Sequence, residues 1–590
     1  MKNKLRLLPL GLALVLLGGN LLPVSEEANH HARILRAASS EPIELNVYNW
    51  EDYIQDDEDL NGDNDTDDEG EQGLITRFEE YMLEEEGINV HVNYSTFDTN
   101  ETMLAELKTG KAQYDLICPS DYIIQKMIAD DLIQPYGENS TPNYDKYVSP
   151  FVEEKIAAIE VKDADGELVA VNDYARGYMW GTLGLLYNPG FAAVPVDEDK
   201  MREDLRDWNN LWSPTYKNLL AIKDSMRDTY AVGIMHTYDQ DFELDGVSYE
   251  GFSTLKEKYD EGIYDEETYN EKVSALFNMH DQETIDRVGR DLQELKENAF
   301  GFEVDSGKTD MARGMYFAIN VAWSGDAAYA MDMADENNES NEGVEGFQPT
   351  ILKYLLPDTG ANIWFDGWVI PKNAQHKELA EKFVDFLSMP ENAAVNMNYI
   401  GYTPVIAGDD ILRLVQSWYD IRYDEETEEL DETVLDDLEK VDAEEVYSLP
   451  EESIDDYYYT KDISYFFEGT LETIDIEEAL FCLPASEKDR QFDTQYPDKS
   501  VLPRLAVMAD FGAQNNAALL MMWESVKNTS LPIWAYILIL IAVIALIALA
   551  VFLKVQRNQV LRRRHQRKEE RLHKAEWSLA LKKTLTEGLH

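Results

Sequence analysis

Residues 88–129 read INVHVNYSTFDTNETMLAELKTGKAQYDLICPSDYIIQKMIA. Ile88, Val90, Val92 and Tyr94 alternate with polar neighbours, which is the period of a strand. Glu101–Lys108 has helical spacing, with Asn100 as its N-cap and Gly110 at its stop. Tyr114–Cys118 reads as another strand, and Asp121 caps a helix over Tyr122–Ala129. Just upstream, Leu45 and Val47 alternate ahead of Trp50, and Ile75–Glu86 again has helical spacing. Strand, helix, strand, helix, strand, helix in that order predicts a mostly parallel sheet with helical crossovers, hence an α/β lobe.

A chain of 590 residues is too long for one core. An apolar stretch, Gly181–Tyr187, leads into a second unit with its own strands and helices to about residue 330. Trp364–Ile370 is again strand-like, Pro371 and Asn373 punctuate, and Lys377–Leu387 puts Leu379, Phe383, Phe386 and Leu387 on one helical face. The chain thus returns to the first lobe. Such crossings make a hinge, and ligands of α/β folds sit at the carboxyl ends of strands, facing the cleft.

The charge is far from balanced: 51 basic against 115 acidic residues, formally −64. Phosphate backbones need basic surfaces, so this composition excludes a nucleic-acid partner and favours cationic ligands, bound cations or a salty exterior. Most of these acids are a solvated surface; positioning a cation needs specific carboxylates.

Both ends address a membrane. Lys2, Lys4 and Arg6 precede an apolar run from Leu7 to Leu22, the layout of a secretory signal or signal anchor over residues 1–28. Residues 531–553 are 23 uncharged residues, enough to cross about 30 Å of hydrocarbon as a transmembrane helix. The tail 554–590 carries 11 basic and 4 acidic residues, which predicts a cytoplasmic end. Setting aside the +7 of that tail and the +3 of the N-terminus leaves −74 on residues 23–530, the part expected outside the cell or in the periplasm. Two cysteines, Cys118 and Cys482, exclude a disulfide scaffold and leave one bridge or two buried thiols open.

No GxxxxGK[ST], HExxH, GxSxG, CxxC or GxGxxG signature is present, which argues against an enzyme, and no cofactor is implied. Residues 56–71 hold ten carboxylates and no basic residue. From Asp57, they place Asp59, Asn61 and Asp63 at calcium-loop positions three, five and seven, but Asp68 stands where a bidentate Glu is wanted. A second acidic stretch, 409–456, carries Leu412, Val415, Leu435 and Leu438 and reads as a helical surface insertion. Aromatics beside acids recur at predicted strand ends: Trp50, Glu51 and Tyr53; Ser120 and Tyr122; Trp323; Trp364 and Asp366; Tyr402.

Four stretches then carry a resemblance: Tyr48-Asn49-Trp50-Glu51-Asp52-Tyr53; Tyr114-Asp115-Leu116 leading to Pro119-Ser120-Asp121-Tyr122; Trp364-Phe365-Asp366; and Ile400-Gly401-Tyr402-Thr403-Pro404. In this order they resemble the spermidine/putrescine-binding proteins of polyamine ABC importers, over about 43–406 and again over 495–528. The resemblance implies a two-lobed periplasmic-binding-protein fold with a hinge, closing on a polyamine and delivering it to an ABC permease with its ATPase subunits. Its aromatic box falls on Trp50, Tyr53, Tyr122, Trp323, Trp364 and Tyr402, with Ser120 at a ligand-contact position and Asp366 and Asp228 holding one ammonium each. Methylenes need aromatic walls, at about 0.8 kcal/mol per buried CH₂, while carboxylates fix the spacing of amines. Three departures bear on ligand length: Ser225 stands at a family acid, Met508 at a family glutamine, and Glu51 at a small hydroxyl residue. Loss of the inner acid favours putrescine over spermidine, and Glu51 is a substitute charge.

The expected organisation is signal 1–28, first lobe 40–185, second lobe 186–330, return 331–406, acidic insertion 407–494, C-terminal part of the binding domain 495–528, span 531–553 and tail 554–590. Two alternatives stand beside polyamine capture. One is another small ligand or a metal on the same fold. The other is a calcium-dependent surface interaction protein, motivated by the two acidic stretches. An acid hydrolase using paired carboxylates is a weaker third.

Overall fold

Strands Ile43–Trp50 (β1) and Val90–Phe97 (β2) pair in parallel along their whole length, and Leu116–Ile117 (β3) pairs in parallel on the other side of β1. Helices Leu74–Glu84 (α1), Asn100–Thr109 (α2) and Asp121–Ala129 (α3) follow these strands in turn. This is the alternation read from the sequence. The computed structural model describes residues 41–58, 71–110, 113–303, 306–344, 346–424 and 458–527, with a few positions between 427 and 434 and between 541 and 554.

Two caps differ from expectation. Thr99, not Asn100, caps α2 by accepting a hydrogen bond from the Thr102 backbone N–H, while Gly110 ends the helix in the left-handed region as predicted. Ser120, not Asp121, holds the N-cap position of α3 and makes no side-chain cap bond there. Asn100 turns to Ser120 and Tyr122 instead, and the buried Asp121 carboxylate accepts from the Phe365 backbone N–H.

The second lobe and the return are built on Ala175–Tyr187 (β4), Leu220–Lys223 (β5), Gly301–Glu303 (β6), Ile319–Trp323 (β7) and Ala361–Pro371 (β8). Their spatial order is β6-β5-β7-β4-β8-β3-β1-β2 in one sheet of 12 strands. Strand β4 runs through both lobes. Its first half pairs antiparallel with β8, from Val369↔Ala175 to Ile363↔Thr182, and its second half pairs with β7, from Trp323↔Leu183 to Ile319↔Tyr187. Partners change between Thr182 and Leu183. A strand covered on both faces loses its alternation, which is why Gly181–Tyr187 reads as a continuous apolar run. Helices Met226–Thr237 (α4) and Ser324–Ser340 (α5) leave the ends of β5 and β7. Helix Lys377–Leu387 (α6) buries Leu379, Phe383, Phe386 and Leu387, the face expected of it.

The acidic stretch departs from its reading. Helix Asp409–Tyr419 (α7) buries Ile411, Leu412 and Val415 in the same apolar cluster as Ile117, Val369, Phe466 and Phe481. Tyr458–Asp462 (β9) and Leu480–Pro484 (β10) form an antiparallel pair whose inner side chains join that cluster. These residues are part of the main core and not a surface appendage, because their apolar side chains have nowhere else to be buried. Leu435 and Leu438 lie outside the described residues.

Asp57 is also engaged differently: its carboxylate accepts from Gly73 N at 2.6 Å and Thr76 Oγ1 at 3.0 Å, satisfying the start of α1. Asp59, Asn61, Asp63 and Asp68 lie outside the described residues, as do 1–28, most of 531–553 and nearly all of 554–590. Among the described residues no helix is long and apolar enough to cross a membrane, so the predicted span and cytoplasmic tail find no support there. Residues 524–590 form a unit of their own. Cys118 and Cys482 are free and buried.

If α7 belongs to the main core, Leu412→Ala should lower stability by about 2–5 kcal/mol in urea denaturation. A loss under about 0.5 kcal/mol, the range of surface substitutions, would return this segment to the surface.

Candidate functional site

Trp50 closes β1, Ser120 follows β3, Asp228 lies in the first turn of α4 just after β5, and Trp323 closes β7. All four stand at carboxyl ends of parallel strands, where side chains of two lobes converge. Trp364 and Asp366 come from β8, opposite Gly181 and Met179 of β4. Tyr402 precedes a short strand, Thr403–Pro404, that also pairs with β4.

The centre of the first-lobe wall is the Asp366 carboxylate. It is buried, with Oδ1 accepting from Ser120 Oγ at 2.6 Å and Oδ2 from Tyr53 Oη at 2.9 Å. Asn100 sets this arrangement: its amide donates to Ser120 Oγ at 3.0 Å and Tyr122 Oη at 3.1 Å, and its carbonyl accepts from Ser120 N at 3.2 Å. Asn100 is free to do so because Thr99 caps the helix.

The aromatic rings are held by close approach to backbone. A Cβ on Gly181 would stand 2.7 Å from Trp364 Cζ2, and one on Gly325 would stand 2.3 Å from the Tyr402 ring. Only glycine lets these rings lie where they do. Tyr402 meets Tyr53 edge-on with centroids 5.2 Å apart and Trp364 at 5.9 Å, and Trp50 tilts against Phe97 at 4.6 Å. The indole N–H groups of Trp50 and Trp364 are buried without a hydrogen-bond partner among the described residues.

Across the cleft, Ser225 caps α4, accepting from the Asp228 N–H at 3.4 Å. The Ser225 hydroxyl and the Trp323 indole both favour the ionised Asp228 carboxylate. Burial raises the pKa of Asp228, opposed by those two groups and by the Lys223 and Arg227 charges. Burial raises Asp366 further, from 3.8 to about 6; the Ser120 and Tyr53 hydroxyls oppose the rise and the Asp228 charge adds to it. The two carboxylates therefore sense each other, and no cation is among the causes acting on Asp366.

Nine of the ten predicted residues come together here. Glu51 sits on an exposed turn and makes no hydrogen bond or ion pair with the described residues. Four contributors went unnoticed in the sequence. Besides Asn100, buried Arg227 stacks its guanidinium between Tyr122 at 4.8 Å and Phe511 at 3.9 Å and donates to the Ala509 carbonyl at 2.7 Å. Buried Lys223 pairs with Asp326 at 3.0 Å and with Glu303 at 3.7 Å, and lies over the Trp323 ring at 4.1 Å. Asp326 also accepts from Tyr402 Oη at 2.8 Å, tying the second lobe to the first. The one available signal was a lysine closing the apolar run Leu219–Ile222, which a strand end buried in a cleft explains.

Two α/β lobes sharing a crossing strand, with buried carboxylates and aromatics where strand ends meet, are the build of a solute-binding protein. The chain belongs to the bacterial extracellular solute-binding protein family, whose model matches residues 74–409. Among curated relatives, the spermidine/putrescine-binding periplasmic protein of Salmonella typhimurium is 26% identical over 379 residues, 64% of this chain and 82% of that protein. Its namesake from Escherichia coli K12 is 26% identical over 370 residues, 62% of this chain and 79% of that protein. A solved spermidine/putrescine ABC transporter substrate-binding protein from Streptococcus pneumoniae is 23% identical, with a TM-score of 0.45, covering 82% of this chain and 98% of that one. Family membership makes this chain a solute-binding protein and not an enzyme.

Because Asp366 is raised towards 6, the folded protein holds its proton more tightly than the unfolded chain. Its ionisation therefore works against folding as pH rises from about 4 through 6, by roughly 3 kcal/mol once complete. Asp366→Asn removes that titration. In urea denaturation without ligand, its stability relative to wild type should rise by about 2–3 kcal/mol between pH 4 and pH 7.5; a difference independent of pH would contradict a buried, ionising Asp366.

Proposed function

We propose that this protein captures polyamines, putrescine or spermidine, outside the cell and delivers them to an ABC permease driven by its ATPase subunits. The observation that carries this reading is the buried Asp366 carboxylate, held by Tyr53 and Ser120 with no cation among the described residues acting on it, beside the Trp364 and Tyr402 rings. A buried anion is costly alone and is offset by an ammonium, while the adjoining methylenes bury against the rings. Asp228, at the opposite wall, takes the second ammonium. Trp50, Tyr53, Tyr122, Trp323, Trp364 and Tyr402 form the walls, Ser120 orients Asp366, and Glu51 adds charge at the rim. The names of the curated relatives support the same ligand class.

Ligand bridging Asp366 and Asp228 stabilises the closed arrangement of the lobes, and that state is the one presented to the permease. We further propose that residues 531–553 anchor the binding domain to the cell membrane, with 554–590 inside, on the strength of their uncharged length and the basic tail.

Calorimetry on the full chain in detergent should show binding of putrescine or spermidine, which Trp364→Ala weakens at least tenfold and Asp366→Asn by a hundredfold or more. Unchanged affinity in both variants would sink the site. For the anchor, the full chain should resist alkaline carbonate extraction from membranes whereas a chain ending at Ser530 should be released; equal release of both would remove the membrane assignment.

A further inference from the structure

Trp323 was expected to offer its face to ligand, yet one face is covered from within. Lys223 Nζ lies 4.1 Å from the ring centroid. This lysine is only 1% exposed, and its ammonium pairs with Asp326 at 3.0 Å and Glu303 at 3.7 Å. Asp326 in turn accepts from Tyr402 Oη on Oδ1, and Lys308 lies 3.7 Å from that same oxygen. The pair is held ionised. Against the burial that would lower it, Asp326 and Glu303 raise the Lys223 pKa; against the burial that would raise it, Lys223 and Lys308 lower that of Asp326. The carboxylates and rings on this side of the cleft thus already hold a primary ammonium on a four-carbon chain, the chemistry of one end of a polyamine.

Asp228 borders this arrangement directly. The Trp323 indole and the Lys223 charge both favour its ionised form. An amine paired with Asp228 therefore sits at the edge of the ring whose face Lys223 occupies. A chain extended past Asp228 towards β5 meets the Lys223 ammonium, already paired with the carboxylates there. A third ammonium brought there finds those carboxylates already taken and would lose its water without a partner, enough to change affinity by roughly tenfold to a hundredfold.

We infer that Lys223 is a length-determining residue: its side chain occupies the place of a third amine, so that the cleft takes diamines and discriminates against triamines. This rests on the polyamine reading proposed above. Lobe 1 supplies Asp366 for one ammonium and Asp228 supplies the other, with Lys223 as the built-in third cation.

The test uses the full chain in detergent and calorimetry with putrescine, spermidine and N-butyl-1,4-diaminobutane, in which a methyl group replaces the terminal primary amine of spermidine. Wild type should bind putrescine at least tenfold more tightly than spermidine, and N-butyl-1,4-diaminobutane at least tenfold more tightly than spermidine, because these last two differ in that terminal charge. In Lys223→Met, the spermidine-to-putrescine affinity ratio should rise at least tenfold. Should that variant fail to fold with Asp326 left unpaired, the wild-type comparison decides alone. Spermidine binding to wild type as tightly as its butyl analogue, or an unchanged ratio in a folded Lys223→Met, overturns the inference and leaves polyamine capture standing. Wild type that binds none of the three amines overturns both.

Discussion

Between Thr182 and Leu183 a single strand exchanges one partner for another, and the cleft is a consequence of that exchange. Up to Thr182, β4 pairs with the strand that carries Asp366; from Leu183 it pairs with the strand that ends in Trp323. Trp364 and Trp323 are therefore opposite Gly181 and Leu183 on one strand, although they arrive from different lobes. Gly181 is what makes this close crossing possible, since a Cβ there would meet Ser324 Oγ at 2.4 Å as well as the Trp364 ring.

Burial of charge on the two sides of that crossing is unequal. On the second-lobe side, Asp326 is matched by Lys223, and both remain ionised. On the first-lobe side, Asp366 has two hydroxyl donors and no cation among the groups acting on it. Hydrogen bonds from neutral hydroxyls soften but do not cancel the cost of burying a carboxylate. A site built this way binds a cation by relieving a cost already present in the protein, which couples affinity to the rigidity of the surrounding contacts. Asn100, Tyr53 and Ser120 supply that rigidity.

The local order of the first lobe was legible because each element has a short-range cause. Period-2 strands around Leu45 and Val90 and a glycine stop at Gly110 need no knowledge of distant residues. The caps were misplaced by one position at both α2 and α3, since a polar residue beside a helix start has two uses and only the fold chooses between them. Asn100 was read as a cap but orients Ser120. The stretch after residue 406 was misread more seriously: its acids suggested solvent, while Ile411, Leu412 and Val415 pack with Phe466 and Phe481. Composition averages over a face that the fold separates.

The aromatics and Asp366 were singled out through the family resemblance of four collinear stretches, whose order along the chain is legible without the fold. The α/β alternation and the acidic balance were likewise readable, because they arise from periodicity and composition. What the tertiary structure alone decided was which charges meet. Lys223 and Asp326 are 103 residues apart and Tyr402 a further 76, and nothing in the local sequence of any of them announces the others. Their pairing depends on where β5, β7 and the segment before Thr403 end relative to β4, a long-range register that backbone pairing sets and local spacing does not encode.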